Sequence, residues 1–240
     1  MSFTKAKPYH RKLYQYIVEE LGQRIVKGRY QAPDVLPTED QLCDELSVSR
    51  GVLREATKVL TQKGLIQTRP RVGTQVLPRD RWNLFDADVL LWRLQVEDKF
   101  TFLKTVTEVR RIIESEAARL AASRASQAEV SNMKRLMEQM VNILSDDTNY
   151  VYEKYLDIDI AFHNSILKAC HNDLLSQISS TMREAVHLAR AHDINDIDIQ
   201  KESLPFHVAI VEGISRKDPE AAYRASQNMF DDVWRYITGD

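Results

Sequence analysis

At 240 residues, 43% hydrophobic and 28% charged, the chain has the composition of a soluble protein with room for one large core or two modest ones, which excludes disorder. Its formal net charge of −2 and mean hydropathy of −0.40 come without any apolar run near the roughly 18 residues of a membrane span, so no membrane partner is expected. Cys43 and Cys170 form no disulfide or metal spacing, the polar start from Met1 to Lys12 carries no secretory core, and GxGxxG and GxxxxGK are absent; a cytoplasmic protein without a nucleotide fold is expected.

In chain order, Leu13, Ile17, Leu21 and Ile25 set a helical rhythm that stops near Gly28. Pro33 and Pro37 keep the next stretch out of helix. Thr38 to Gln41 has the capping-box form and opens a helix through Leu42 and Leu46. After the turn Ser47-Val48-Ser49, a second helix runs from Arg50 to Lys63, with Val52, Leu53, Ala56, Val59 and Leu60 inward. Gly64 follows at a C-cap position. Two β-prone runs, Leu65–Thr68 and Thr74–Leu77, flank Arg69 to Gly73 as a hairpin with a basic tip. Pro78 to Asp88 reads as a linker. Beyond it only helical periodicity remains, at about 86–96, 99–124, 127–144, 149–171, 173–192, 198–216 and 219–237, the pattern of an antiparallel bundle.

The expected fold is therefore mainly α. A winged helix-turn-helix with a small β-hairpin occupies residues 1–79, a linker and connecting helix 80–97, and an all-α bundle 98–240. Charge follows this division: residues 1–79 hold 14 Lys and Arg against 8 Asp and Glu, a net of +6, and the remainder holds 19 against 27, a net of −8. A basic head suits a polyanion.

In a winged helix-turn-helix the second helix enters the major groove by its N-terminal residues. Here these are Ser49, Arg50, Gly51 and Arg54, with Arg50 and Arg54 one turn apart and able to face a guanine edge or a phosphate. Arg69 and Arg71 on the wing suit the DNA backbone or minor groove, and Gly73 allows close approach. The plain alternative is a surface helix carrying solvated arginines.

In the bundle, the stripe Tyr152, Leu156, Asp159, His163, Leu167 turns Asp159 and His163 inward at i, i+4, and Leu204, His207, Val211, Ile214 turns His207 inward. A buried carboxylate is costly. A shared divalent cation offsets that cost, zinc suiting one Asp and two His, with nickel or manganese as alternatives. A buried Asp–His hydrogen bond without metal remains the rival. The stripe Leu103, Val106, Arg110, Ile113, Ala117 places Arg110 inside, where it wants an anion, either a bidentate carboxylate or an internal acid such as Asp159. Arg111 falls with Lys104, Glu108 and Glu114 on the polar face. His192 ends the stripe Leu175, Ile178, Met182, Ala185, Ala189 and is a candidate cavity residue; His171 and His187 look like ordinary polar positions.

The segment Val48-Ser49-Arg50-Gly51-Val52-Leu53-Arg54-Glu55-Ala56, with Leu36-Pro37-Thr38-Glu39 and Gly64-Leu65-Ile66, resembles the GntR family of bacterial transcription regulators. The helical body resembles the ligand-binding FCD domain of its FadR subgroup. The resemblance implies a homodimer on a pseudo-palindromic double-stranded operator, and a small carboxylate effector bound through a divalent metal and an arginine at the place of Arg110. It implies a ligand set of Asp159, His163, His207 and a further histidine, whose position is taken here by Met229, a poor ligand for such cations. At Asp40 the family often has a DNA-contacting arginine. The stretch Trp82 to Trp92 is similar to that of sugar-acid catabolic regulators, so the effector expected is a hexonate such as galactonate and the protein a repressor rather than an enzyme. A metal-dependent hydrolase and a metal-free acyl-responsive regulator are the competing readings.

Overall fold

The computed structural model describes residues 8–146, 150–190 and 197–238, with side chains given for 13–146, 150–182 and 197–238. By contact the chain divides into two compact units, Met1–Val96 and Glu97–Asp240.

The first unit contains α1 (Pro8–Val26), α2 (Glu39–Leu46), α3 (Arg50–Gln62), β1 (Ile66–Arg69), β2 (Gly73–Val76) and α4 (Ala87–Leu94). Thr38 closes the expected capping box, its hydroxyl accepting from the Gln41 amide while the Gln41 side chain accepts from the Thr38 amide. Ser47 turns the chain in the left-handed region (φ 53°), and Ser49 then caps α3 by accepting from the Val52 amide at 3.4 Å. The strands pair antiparallel from Ile66 opposite Val76 to Arg69 opposite Gly73. Ile17, Leu21, Leu53, Ala56, Leu60 and Ile66 close the core.

The stretch expected as a linker and connecting helix packs on this unit. After a single 3-10 turn at Arg79–Arg81, Asp86 caps α4, and Val89 and Trp92 enter the same core. Gly22 gives Trp92 its place, since a Cβ there would collide with the indole. Gly64 (φ +77°) is needed twice: for its backbone and because a Cβ would strike the Arg81 carbonyl. Beside it the buried Lys63 ammonium meets Asp86 at 2.6 Å and Asp88 at 2.7 Å, over the Trp92 ring.

The second unit is helical throughout its described residues: α5 (Lys99–Arg124), α6 (Gln127–Leu144), α7 (Tyr152–Ala169), α8 (Asp173–Arg190), α9 (Ile197–Ser215) and α10 (Pro219–Thr238). These follow the expected periods closely, because Asp98 and Ser126 supply caps at the breaks. α5 is central and touches α7, α8, α9 and α10. Its Ala117, Ala118, Ala121 and Ala122 let neighbours come close, and Gly213 does the same where α9 meets the backbone at Ala222.

Candidate functional site

Two groups of residues carry chemistry, one in each unit. On the first, α3 presents Arg50 and Arg54 to solvent, with side chains 66% and 67% exposed. Both are already paired with acids at the start of α2. Arg50 Nη2 stands 2.8 Å from Asp40 Oδ1. Arg54 donates from Nε to Glu39 Oε2 at 3.1 Å and brings Nη2 to 3.1 Å from Oε1. Ser49 is the N-cap, and Gly51 beside it is exposed and open, a Cβ there meeting only Ser49 Oγ at 3.9 Å. On the wing Arg69 and Arg71 are exposed, Arg71 in the left-handed region (φ 65°) and Gly73 at φ +107°. A Cβ at Gly73 would press within 3.0 Å of Val35, so the glycine serves the packing of the wing root as well as its turn.

In the second unit, Asp159 and His163 on α7 and His207 on α9 converge, their ligand atoms all within 4.8 Å of one another. They line one cavity of about 80 Å³ with Arg110, Tyr155, Met229 and Phe230. Asp159 Oδ1 lies 3.0 Å from His207 Nε2 and 3.6 Å from His163 Nε2. Atoms sharing an ion at about 2.0–2.2 Å stand roughly 3–3.5 Å apart, so small rotations suffice. The far side of each ring is also engaged: His163 Nδ1 faces Glu114 Oε2 at 3.1 Å, and His207 Nδ1 faces the Ser203 carbonyl at 3.0 Å. Such partners fix a metal-binding tautomer. His207 therefore has an oxygen acceptor on both ring nitrogens, and one proton satisfies only one of them. The other needs a second proton or a cation. A divalent ion fits this donor set.

Arg110 is buried, as expected, but its acid is Glu114 rather than Asp159: Nε donates to Glu114 Oε1 at 2.8 Å, and the guanidinium lies 5.1 Å over Phe230. This corrects the placing of Glu114 on the polar face. It is 4% exposed and also accepts from the Ser179 hydroxyl at 3.1 Å. The helical wheel misplaced it because α5 has no single outer face; α8 covers the side left over by α7, α9 and α10. Its signal in the sequence is the i, i+4 step from Arg110. Tyr155 was also missed. Its hydroxyl is buried in the cavity wall beside Ser203, and burial, then the Asp159 charge, push its pKa up against the smaller opposing effect of Ser203. Met229 lies in the wall as a thioether and adds no hard ligand. His171 pairs at the surface with Glu129, an ordinary polar position. His192 and the side chain of His187 lie outside the described residues.

Comparison with known proteins agrees with both units. Residues 13–76 match bacterial regulatory proteins of the gntR family, and residues 105–232 match the FCD domain. The galactonate operon transcriptional repressor of Escherichia coli K12 is 32% identical over 216 residues, covering 89% of this chain and 91% of that protein. An uncharacterized HTH-type regulator of the same strain, YieP, is 32% identical over 89% of this chain and 90% of its own length. The Glc operon transcriptional activator is 26% identical over 92% and 87%. Among solved structures, one of Lar, which controls the Listeria monocytogenes agr system, aligns with a TM-score of 0.63 at 20% identity over 98% of this chain and 99% of that one. Streptococcus agalactiae GntR aligns with a TM-score of 0.54 at 22% identity over 93% and 99%. These two share the fold.

Proposed function

This chain belongs to the gntR family of bacterial regulatory proteins and carries an FCD domain, and we propose that it represses a sugar-acid catabolic operon and leaves its operator when a small carboxylate binds. It is a transcription regulator and not an enzyme, as are its relatives. The observation that carries the effector reading is the meeting of Asp159, His163, His207 and Arg110 in one cavity of the helical unit.

Two copies would present two heads to a pseudo-palindromic operator. On each, Arg50 and Arg54 face the major groove, the free amides at the α3 N-terminus beside Ser49 meet a phosphate with Gly51 allowing approach, and Arg69, Arg71 and Gly73 follow the neighbouring backbone.

Within the bundle Asp159, His163 and His207 would hold a divalent ion, zinc first by donor type. Bound there, it supplies a positive charge that draws in a carboxylate. Arg110, oriented by Glu114, offers the second anchor to the same carboxylate, and Tyr155 and the α9 polar groups Gln200 and Ser203 face its hydroxyls. A guest of this kind shifts the head's equilibrium only through unequal affinity for the two arrangements. The relative named for the galactonate operon supports a hexonate such as galactonate.

The test is a thermal-shift and calorimetric screen of hexonates and shorter carboxylates, with and without zinc, followed by operator release in fluorescence anisotropy. Galactonate should bind in zinc, fail after chelation, and release the operator. Equal binding of an acyl ligand in chelator would replace this reading with a metal-free regulator, and turnover of any ligand would replace it with an enzyme.

A further inference from the structure

The acids at the start of α2 pose a problem that the DNA-binding surface does not otherwise explain. Asp40 is 68% exposed and its carboxylate holds Arg50, the first residue of the reading helix, at 2.8 Å. An exposed ion pair contributes little to stability, so the fold does not need it. On a surface that meets DNA a carboxylate also works against binding, since phosphates repel it and it cancels one basic charge.

The neighbouring pair differs. Glu39 engages one whole edge of Arg54, Nε and Nη2 together, and the two side chains form a strut between α2 and α3. Arg50 gives up one nitrogen only and keeps the rest of its fork. The Asp40–Arg50 couple thus offers donors and an acceptor side by side at the N-terminus of the reading helix. In the major groove an arginine fork matches guanine O6 and N7, and the group that matches a carboxylate is the cytosine N4 amino group. Adenine N6 is the weaker match, because N7 beside it is an acceptor that opposes the second carboxylate oxygen.

We propose that Asp40 is a specificity-determining residue, which accepts from N4 of a cytosine next to the guanine read by Arg50, while Glu39 acts as a positioning residue for Arg54. Asp40 exchanges general affinity for discrimination at one base pair in each half-site. This rests on the DNA-binding head alone and not on the effector or the metal.

Full-length protein, D40N, D40A and E39Q are each used to select from a random duplex library, and each is then measured against a duplex panel carrying every single base-pair change. Thermal melts identify any variant that has lost its fold, and D40N, the isostere, stands in for D40A if the latter fails. Wild type should discriminate at one C·G position per half-site by about 5- to 150-fold. D40N and D40A should lose that preference, keep the others, and bind unrelated duplex as tightly as wild type or more so. E39Q should weaken binding to all sequences alike. Unchanged preferences in D40N and D40A, or an even loss across the panel, would overturn the assignment. Absence of any selected sequence for wild type would overturn it together with the head's role.

Discussion

His207 has an acceptor at each ring nitrogen, and Asp159 faces both His207 and His163. Replacing Asp159 with Ala should remove zinc binding, from about one ion per chain to none, in elemental analysis of dialysed protein, while far-ultraviolet dichroism stays helical. Glu114 has a different burden. Its loss strands the buried Arg110 guanidinium, and breaking a buried pair costs about 3–5 kcal/mol, so E114A should unfold at clearly lower urea than wild type. Tyr155 turns a buried hydroxyl to the cavity beside Ser203, so Y155F should change stability little and weaken hydroxy-acid binding about tenfold, roughly 1.4 kcal/mol, in calorimetry. At this scale the sequence was legible where a polar residue interrupts an apolar stripe, as Asp159, His163, His207 and Arg110 do. Glu114 was not, because a helix wheel assumes one wet face and α5 is flanked by four helices. Tyr155 was not, because a tyrosine on an apolar stripe looks like core until its hydroxyl is seen to reach the cavity.

The helices were legible for reasons that can be named residue by residue. The Thr38 capping box, the Gly64 stop and the 3.6-residue stripes gave boundaries within a residue or two through most of the chain. The capping box at Ser126 has a pH signature. Bonds from the Ser126 amide, then from His171 and the Ser126 hydroxyl, hold Glu129 down to about 2. Because its folded pKa is depressed, its contribution is complete above the unfolded value near 4.3 and is lost as pH falls toward 2. With solvent screening it amounts to about 1 kcal/mol, so E129A should lower the melting point at pH 7 and converge on wild type near pH 2. What the helical periods did not show was that residues 79–94 cap the head. That depends on Lys63, where burial pulls the ammonium pKa down but bonds to Asp86 and Asp88 outweigh it and raise it. The pair is complete below the unfolded lysine value near 10.4 and weakens only as pH rises past the folded one, so it holds at neutral pH.

Over the whole molecule, the charge division separates two tasks, +6 on residues 1–79 and −8 on the remainder. Binding to the operator should fall steeply with salt, and R69A or R71A should each lower the slope of log K against log salt by about 1 without altering sequence preference, measured by anisotropy across a salt series. No helix among the described residues is long and apolar enough to cross a membrane.

The tie between Lys63 and the acids that begin α4 has one more implication. The reading helix ends on that lysine, and Trp92 is wedged against α1 through Gly22, so reading helix and exit helix are rigidly soldered together. The surface that meets DNA is therefore carried by one stiff body, with its exit helix built into the mount. K63A should unsolder that joint, which hydrogen exchange would read as faster amide exchange across residues 87–94 while the reading helix stays protected.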